Sequence, residues 1–271
     1  MVVPREFGKD DIFKYGDLAS LARTLNDETL GFSELSQYND PFESEFSTFL
    51  HISDAKKRES FLASNVSLYN EPDIWSSYNR VKDWINSYFL SQRVTCFSQS
   101  PVEPLMWAHY ADKHKGVCYW FDKTVFDKRY TSGDVVYSSS LPKLHLDFGK
   151  TKSCELKRYL DNIILTKSQS WAYEKEHRFF ISSNETVHKF NPYSLKFVIL
   201  GMRSADEIDQ AHKLVHSFNQ RNRTNVRVLH ANMSSDRYEM EINSMATMSC
   251  FAIHCPEYEE CDEFDLWKTG I

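Results

Sequence analysis

Two glutamates separated by one residue are the clearest candidates for chemistry in this chain. Glu174 and Glu176 lie in the segment Trp171-Ala-Tyr-Glu-Lys-Glu-His-Arg178, and aromatic residues flank them on both sides. Side chains two apart on a strand project from the same face, so like charges here raise each other's pKa unless a cation or a substrate separates them. The pair is therefore either the solvent-facing edge of an amphipathic strand or an acid–base site.

A second polar group follows a predicted strand. Ser98 ends that strand, and a helix is predicted over residues 104–114. His109 and Asp112 are neighbours on such a helix, whereas His109 and His114 are about 140° apart and do not share a metal ion. The same pattern is equally typical of a core helix that carries one hydrogen-bonded histidine.

Composition excludes two common nucleotide sites. The chain has 8 glycines among 271 residues, against 19 Phe, 14 Tyr and 6 Trp. No glycines are spaced as G-x-G-x-x-G or as a P-loop, so a Rossmann or P-loop site is not expected. Cys250, His254, Cys255 and Cys261 lack the C-x-x-C spacing of a zinc knuckle, and we interpret them as structural. No metal site is predicted.

Charge and the amino terminus bear on partners and compartment. The net charge is −6, and residues 236–271 contain nine acids and two bases, so this segment is predicted to be an acidic, solvated tail. A generic nucleic-acid binder is disfavoured on this balance. No apolar run is long enough for a membrane span, and the amino terminus carries no secretory signal. We expect a cytoplasmic protein that does not bind a membrane.

The elements that must position these residues indicate an α+β class. A strand at residues 12–15 is followed by a helix, and the second half of the chain is predicted to be mainly strands separated by short helices. Asp40 and Pro41 are typical of a helix start, and residues 41–92 are predicted to form a helical insertion of two to four helices. We expect a single α+β domain over residues 1–271.

Several blocks in order resemble a bacterial family known as domain of unknown function 2971. The resemblance extends over about residues 12–200, and it implies no activity, although members of that family are found among bacterial toxin and phage-defence genes. The blocks that carry it are Phe13-Lys-Tyr15, Asn39-Asp-Pro-Phe-Glu43, Cys96-Phe-Ser98, Met106-Trp-Ala-His-Tyr-Ala111, His114-Lys-Gly-Val-Cys118 and Trp171-Ala-Tyr-Glu-Lys-Glu-His-Arg178.

The chain also resembles, more distantly, the toxin-type ADP-ribosyltransferases. Those enzymes carry a basic residue on the first strand, a serine on a central strand and a Glu-x-Glu on a late strand, and here Lys14, Ser98 and Glu174-Lys-Glu176 occur in that order. Lys14 departs from the usual Arg or His. The resemblance implies a mixed or antiparallel split sheet with the helical insertion, and NAD as substrate.

That resemblance assigns roles by position. Glu176 would stabilise the oxocarbenium-like ribose formed when the nicotinamide bond breaks, and Glu174 would orient or deprotonate the acceptor. Ser98 would hold either its strand or the ribose. The residues expected at the cofactor are Lys14, Tyr15, Trp107, His109 and Tyr110, with the aromatic rings clamping nicotinamide and adenine.

Three functions stay open on the sequence. The first is an NAD-consuming ADP-ribosyltransferase-like effector, a toxin or phage-defence protein that modifies a protein or nucleic acid and acts with an antitoxin or defence partner. The second is a metal-dependent nuclease or hydrolase in which His109, Asp112, Glu174 and Glu176 converge on a divalent ion. The third is a non-enzymatic sensor or partner-binding module in which these polar residues are structural.

Overall fold

A computed structural model describes residues 7–51, 72–126, 128–147 and 153–243. In these ranges the expected α+β class is confirmed. The strands are β1 Asp11–Gly16, β2 Thr29–Gly31, β3 Ser47–His51, β4 Gln92–Ser98, β5 Val117–Asp122, β6 Thr131–Asp134, β7 Val136–Ser138, β8 Lys143–Asp147, β9 Thr166–Ser168, β10 Glu176–Ser182, β11 Val187–Lys189, β12 Leu195–Leu200, β13 Arg227–Met233 and β14 Met240–Asn243. The α-helices are α1 Leu18–Asp27, α2 Pro72–Ser91, α3 Pro104–Tyr110, α4 Ser153–Ile164 and α5 Ile208–Asn222.

Within those ranges, eight strands form one mixed and mostly antiparallel sheet in the order β14-β13-β12-β5-β1-β4-β10-β6. Its neighbours are antiparallel except β12 and β13, which run parallel because α5 connects them. Three smaller two-stranded sheets pair β11 with β2, β3 with β8 and β7 with β9. No helix in the described part of the chain has the length and apolarity needed to cross a membrane.

Strand β5 runs through the middle of the molecule, and its sequence explains why. Val117, Tyr119 and Phe121 enter a core with α1 and α5, whereas Cys118 and Trp120 enter a second core on the opposite face of the sheet. All five are buried, which is the continuous apolar pattern expected of a strand covered on both faces. The sheet therefore has a helix-covered face and an aromatic face.

The main sheet is split between β1 and β4. Strand β1 pairs with β5 along its whole length, and β4 pairs with β10 from Gln92 to Ser98. Between β1 and β4, in contrast, the register has one pair, Phe13 with Ser98. The two halves of the sheet thus diverge beside this pair and leave a gap at its centre.

The segment after Asn39 differs from the expected helical start. Asp40 accepts a hydrogen bond from the Phe42 backbone N–H at 2.9 Å, which makes a turn, and the chain then enters β3. An aspartate before proline is a signature shared by helix N-caps and Asx turns, so the sequence pattern did not separate them. Within the expected helical insertion at residues 41–92, the described residues form the strand β3 and the helix α2, and residues 52–71 lie outside the described ranges.

The strand predicted over residues 171–182 is also wrong in its first half. Gln169–Glu174 is a 3-10 helix, Lys175 adopts a left-handed conformation with φ 46°, and β10 begins only at Glu176. Glu174 and Glu176 therefore do not share one strand face. Most of the acidic segment and all four residues considered for zinc lie outside the described ranges.

Two helix ends also depart from expectation. Helix α3 ends at Tyr110 rather than at residue 114, because Asp112, Lys113 and His114 all have positive φ. Ser204 and Glu207 have the spacing of a capping box, which does not form because the Ser204 hydroxyl donates to the Gly201 carbonyl at 2.7 Å and a 3-10 turn precedes α5. The two segments contact each other, since the Arg203 backbone N–H donates to the His114 carbonyl at 3.0 Å.

Candidate functional site

A cleft opens at the gap between β1 and β4. It has a cavity volume of about 190 Å³ and opens to solvent at its mouth. Its walls combine both halves of the sheet with the segment that follows β2 and with α3. Lining side chains with polar groups are Lys14, Tyr15, Ser33, Tyr38, Asn39, Thr95, Cys96, Ser98, Tyr110, Lys167, Glu174 and Glu176.

Lys14 crosses the gap in the sheet. Its ammonium donates to the Cys96 carbonyl at 3.2 Å and lies 5.4 Å from the centre of the Phe97 ring. Burial lowers the pKa of Lys14, while Cys96 and Glu176 act in the opposite direction. Lys14 forms no salt bridge with a carboxylate of the described residues, although the charge of Glu176 acts on it across the cleft.

Lys167 holds the two candidate carboxyl groups together. Its ammonium lies 2.5 Å from Glu174 Oε2 and 2.5 Å from Glu176 Oε1, and all three side chains are at most 5% exposed. Strand β9, which carries Lys167, is held beside β7. The lysine is the cation that two neighbouring carboxylates require when they are buried.

Arg178 contacts the far side of Glu176. Its Nε donates to Glu176 Oε2 at 2.6 Å, and its two terminal nitrogens contact the two oxygens of Glu43 at 2.5 and 3.2 Å. A fourth bond runs to the Ile164 carbonyl at 2.6 Å. The guanidinium is fully buried, and this fork geometry is the one that fixes a planar guanidinium most firmly.

Glu174 is contacted from the helix side by Tyr110. The Tyr110 hydroxyl donates to Glu174 Oε1 at 2.5 Å and accepts from Asn39 Nδ2 at 3.0 Å. The backbone N–H of Glu176 donates to the Tyr137 hydroxyl at 2.8 Å. Each carboxyl group is therefore held by side chains from several separate parts of the chain.

The two carboxyl groups have opposite pKa shifts. Burial raises the pKa of Glu176, but the Arg178 guanidinium and Lys167 outweigh it, so the net pKa lies well below its ordinary value. Burial raises the pKa of Glu174 to about 7, helped by the hydrogen bond with Glu176 and opposed by Lys167. One group is thus an ionised carboxylate near pH 7, and the other exchanges its proton there.

Six of the eight predicted site residues line the cleft, and two do not. The six are Lys14, Tyr15, Ser98, Tyr110, Glu174 and Glu176. Trp107 is fully buried, and its indole N–H donates to the Pro101 carbonyl at 2.7 Å, so its ring packs in the core and cannot clamp a ligand. His109 is on the outer side of α3, where Nδ1 lies 3.2 Å from the Tyr173 hydroxyl.

Two cleft residues have their polar groups occupied by the protein itself. The Ser98 hydroxyl donates to the Ser100 carbonyl and accepts from the Ser100 N–H, both at 3.1 Å. The Tyr15 hydroxyl donates to the same carbonyl at 2.9 Å, and its ring contacts Trp107 edge to face. Ser98 thereby fixes the end of β4, directly opposite Glu176 in the register.

The structure does not bring together the four residues expected to bind a divalent ion in a metal-dependent nuclease or hydrolase. His109, Asp112, Glu174 and Glu176 are all described, and no group of three His, Cys, Asp or Glu side chains in the described ranges converges as a metal site. Glu174 and Glu176 share a lysine instead. The expected convergence of these four residues on a divalent ion is therefore wrong.

Sequence reasoning missed the cations and the loop that complete the site. Arg178 could have been identified, because it lies two residues after Glu176 and opposite charges on one strand face predict an ion pair. Lys167 and Glu43 are 9 and 135 residues from their partners, and no local pattern marks them. These contacts depend on tertiary structure alone.

Comparison with known proteins gives a family without an activity. Residues 106–179 match the sequence model of a family described as "Protein of unknown function (DUF2971)", so the expected similarity to that family is supported over this part of the chain. The match contains residues 106–110 of α3 together with Lys167, Glu174, Glu176 and Arg178. No curated protein and no solved structure matches the chain.

Proposed function

We propose that the protein is an NAD-consuming ADP-ribosyltransferase-like enzyme whose reaction takes place in the cleft between β1 and β4. The observation that carries the proposal is the carboxyl pair, in which Glu176 is held ionised and the pKa of Glu174 is raised to about 7 within one cleft. Paired carboxyl groups with separated pKa values are the usual acid–base arrangement for cleaving glycosidic bonds.

The charges of the cleft fit the two ends of NAD. The pyrophosphate is anionic and would contact Lys14, which lines the cleft and forms no salt bridge with a carboxylate of the described residues. The nicotinamide riboside is cationic, and its positive charge moves onto the ribose as the glycosidic bond breaks. An ionised Glu176 would stabilise that charge, since a carboxylate has about four lone-pair positions and its two cations occupy two of them.

Glu174 would complete the transfer. The bond between the ribose C1′ and nicotinamide breaks with its electron pair on the nicotinamide nitrogen, and the acceptor nucleophile forms the new bond to C1′. Glu174 takes the proton that the acceptor loses, which a carboxyl group with a pKa near 7 does most efficiently at neutral pH. Tyr110 donates to the Glu174 oxygen and orients it.

The acceptor and the biological setting are part of this proposal. The acceptor is a protein or a nucleic acid, and the setting is a bacterial toxin or phage-defence system in which an antitoxin or defence partner controls the activity. This setting is what the sequence resemblance implies, and the family match over residues 106–179 itself names no activity.

The experiment is direct. The full chain is incubated with NAD, with and without bacterial lysate as a source of acceptor, and free nicotinamide is measured by chromatography. We expect release that Glu176→Gln abolishes and that Glu185→Gln, a matched change at an exposed glutamate outside the cleft, leaves intact. Absence of both nicotinamide release and NAD binding by calorimetry would reject the proposal and favour a non-enzymatic module.

A further inference from the structure

The hydrogen bonds around the carboxyl pair form one continuous chain. Asn39 donates to Tyr110, and Tyr110 donates to Glu174. The chain of hydrogen bonds continues through Lys167, Glu176 and Arg178 and ends at Glu43. Both ends therefore lie in the short turn Asn39-Asp-Pro-Phe-Glu43, a motif to which the proposed chemistry assigns no role.

Glu43 is placed to decide how Arg178 contacts Glu176. The two terminal nitrogens of Arg178 contact the two oxygens of Glu43, and Arg178 binds Glu176 through Nε. Without Glu43, the fork would be free to turn and bind Glu176 through two parallel bonds, which is the preferred geometry of an arginine–carboxylate pair. That geometry would bring a second Arg178 nitrogen to Glu176 Oε1, the oxygen that now contacts Lys167.

We infer that Glu43 is a positioning residue for the Glu174–Glu176 pair, acting through Arg178 to keep Glu176 bonded to both cations and accessible to the cleft. Glu43 reaches this place because its side chain is only 2% exposed although its turn lies at the surface. Phe42, the preceding residue, points outward and is 60% exposed. The turn thus sends one charged side chain inward.

Glu43 also contributes charge. Three carboxyl groups, Glu43, Glu174 and Glu176, face two buried cations in this cluster. Removing the negative charge of Glu43 makes the surroundings of Glu174 more positive, so the pKa of Glu174 falls. The other charged and titratable groups that face the pair are Lys14, Tyr38, Cys96, Tyr110, Tyr137, Lys167, Tyr173 and Arg178.

The test is Glu43→Gln, which keeps the shape of the side chain and removes its charge. Carbon-13 NMR titration of the Glu174 carboxyl group should give an apparent pKa lower by on the order of one unit than in the native protein. Glu45→Gln, two residues along the same turn and exposed, should leave this pKa unchanged. An unchanged Glu174 pKa in Glu43→Gln would overturn the inference.

The positioning role of Glu43 rests on the proposed function. Two further measurements distinguish a failure of this inference from a failure of that function. If NAD is turned over, the pH midpoint of nicotinamide release should move down with the Glu174 pKa, and an unmoved midpoint contradicts the inference. If NAD is not turned over, the NMR titration still decides the role of Glu43. Should Glu43→Gln fail to fold, Glu43→Asp retracts the charge by one methylene, and a smaller fall is expected; no fall overturns the inference.

Discussion

Glu176 and Arg178 lie two residues apart on β10, and Arg178 Nε donates to Glu176 Oε2 at 2.6 Å while both side chains are buried. Burying two opposite charges costs solvation free energy, which their attraction recovers only when their remaining hydrogen-bonding positions are filled. Here Lys167 bonds to Glu176, and Glu43 and the Ile164 carbonyl accept from Arg178. The pair is therefore stable as part of the whole cluster. Removing one member leaves the lost solvation free energy of its partners without compensation.

Arg178→Met should destabilise the fold strongly. The change leaves Glu43 and Glu176 buried without their shared cation, and breaking a buried pair in this way costs about 3–5 kcal/mol. Urea denaturation at pH 7 measures the loss in the free energy of unfolding. Lys157→Met, which removes an exposed pair with Asp161, should cost under about 1 kcal/mol, and equal losses in the two variants would contradict the account.

Glu174→Gln should change how stability depends on pH. Because the folded-state pKa of Glu174 is raised to about 7 from an unfolded value of about 4.3, its stabilising contribution is complete below pH 4.3 and is lost as pH rises to 7. By pH 7, the free energy of unfolding loses about 3 kcal/mol of the contribution that Glu174 makes at low pH.

The measurement is the difference between the native and variant free energies of unfolding across pH 4–8. Burial lowers the pKa of His114, His177 and His230, which gives the opposite slope below pH 6.5, but these groups are common to both proteins and cancel in the difference. The variant should gain stability relative to the native protein as pH rises. A difference that does not change with pH would show that folding does not raise the pKa of Glu174.

Glu176→Gln should remove the activity proposed for the cleft. The change keeps the hydrogen-bonding shape but removes the charge that stabilises the developing positive ribose, so we expect kcat to fall by about 10²-fold or more. The KM for NAD should change far less, because the charge acts mainly in the transition state. A variant with native kcat would show that Glu176 is structural.

Lys14→Met should weaken nucleotide binding more than catalysis. The substitution removes the cation expected at the pyrophosphate and leaves the Cys96 carbonyl without its partner. We expect the Kd for ADP-ribose, measured by calorimetry, to rise at least about 10-fold, a loss typical of a charge-assisted hydrogen bond. Arg129→Met, which removes a cation outside the cleft lining, is the control.

Gly116→Ala tests the packing that sets α3 beside the cleft. A Cβ at residue 116 would lie 2.2 Å from the Gly16 carbonyl oxygen and 2.8 Å from the Ala111 carbonyl carbon, both of them backbone atoms. Overpacking of this kind costs about 1–3 kcal/mol or more. Gly31→Ala, whose Cβ meets nothing within 4 Å, should not destabilise the fold, and thermal unfolding compares the two.

Long periodic segments of the fold were predictable, and the site was only partly so. The stripe of Ala211, Val215 and Phe218 predicted α5, because apolar side chains at helical spacing must face a core. Glu174 and Glu176 were found for the wrong reason: they meet across a left-handed residue, Lys175, and through a lysine on another strand. Local spacing does not encode such a meeting.

The turn at Asn39–Glu43 shows most plainly what the local sequence does not predict. Asp40 and Pro41 carry the signature of a helix start, and the chain uses the same hydrogen bond to form a turn. This turn brings Glu43 into contact with Arg178, which is 135 residues away. The local sequence is compatible with both conformations and does not encode that distant contact.

The single residue pair between β1 and β4 has a mechanical consequence. Lys14 and Tyr15 belong to one half of the sheet, whereas Glu176 belongs to the other, and the backbone ladder joins the halves at Phe13 and Ser98 only. A molecule that contacts Lys14 and Glu176 together would connect the two halves of the sheet at a second place, beside the Phe13–Ser98 pair. Its binding would stiffen the sheet along the line where the backbone ladder is interrupted.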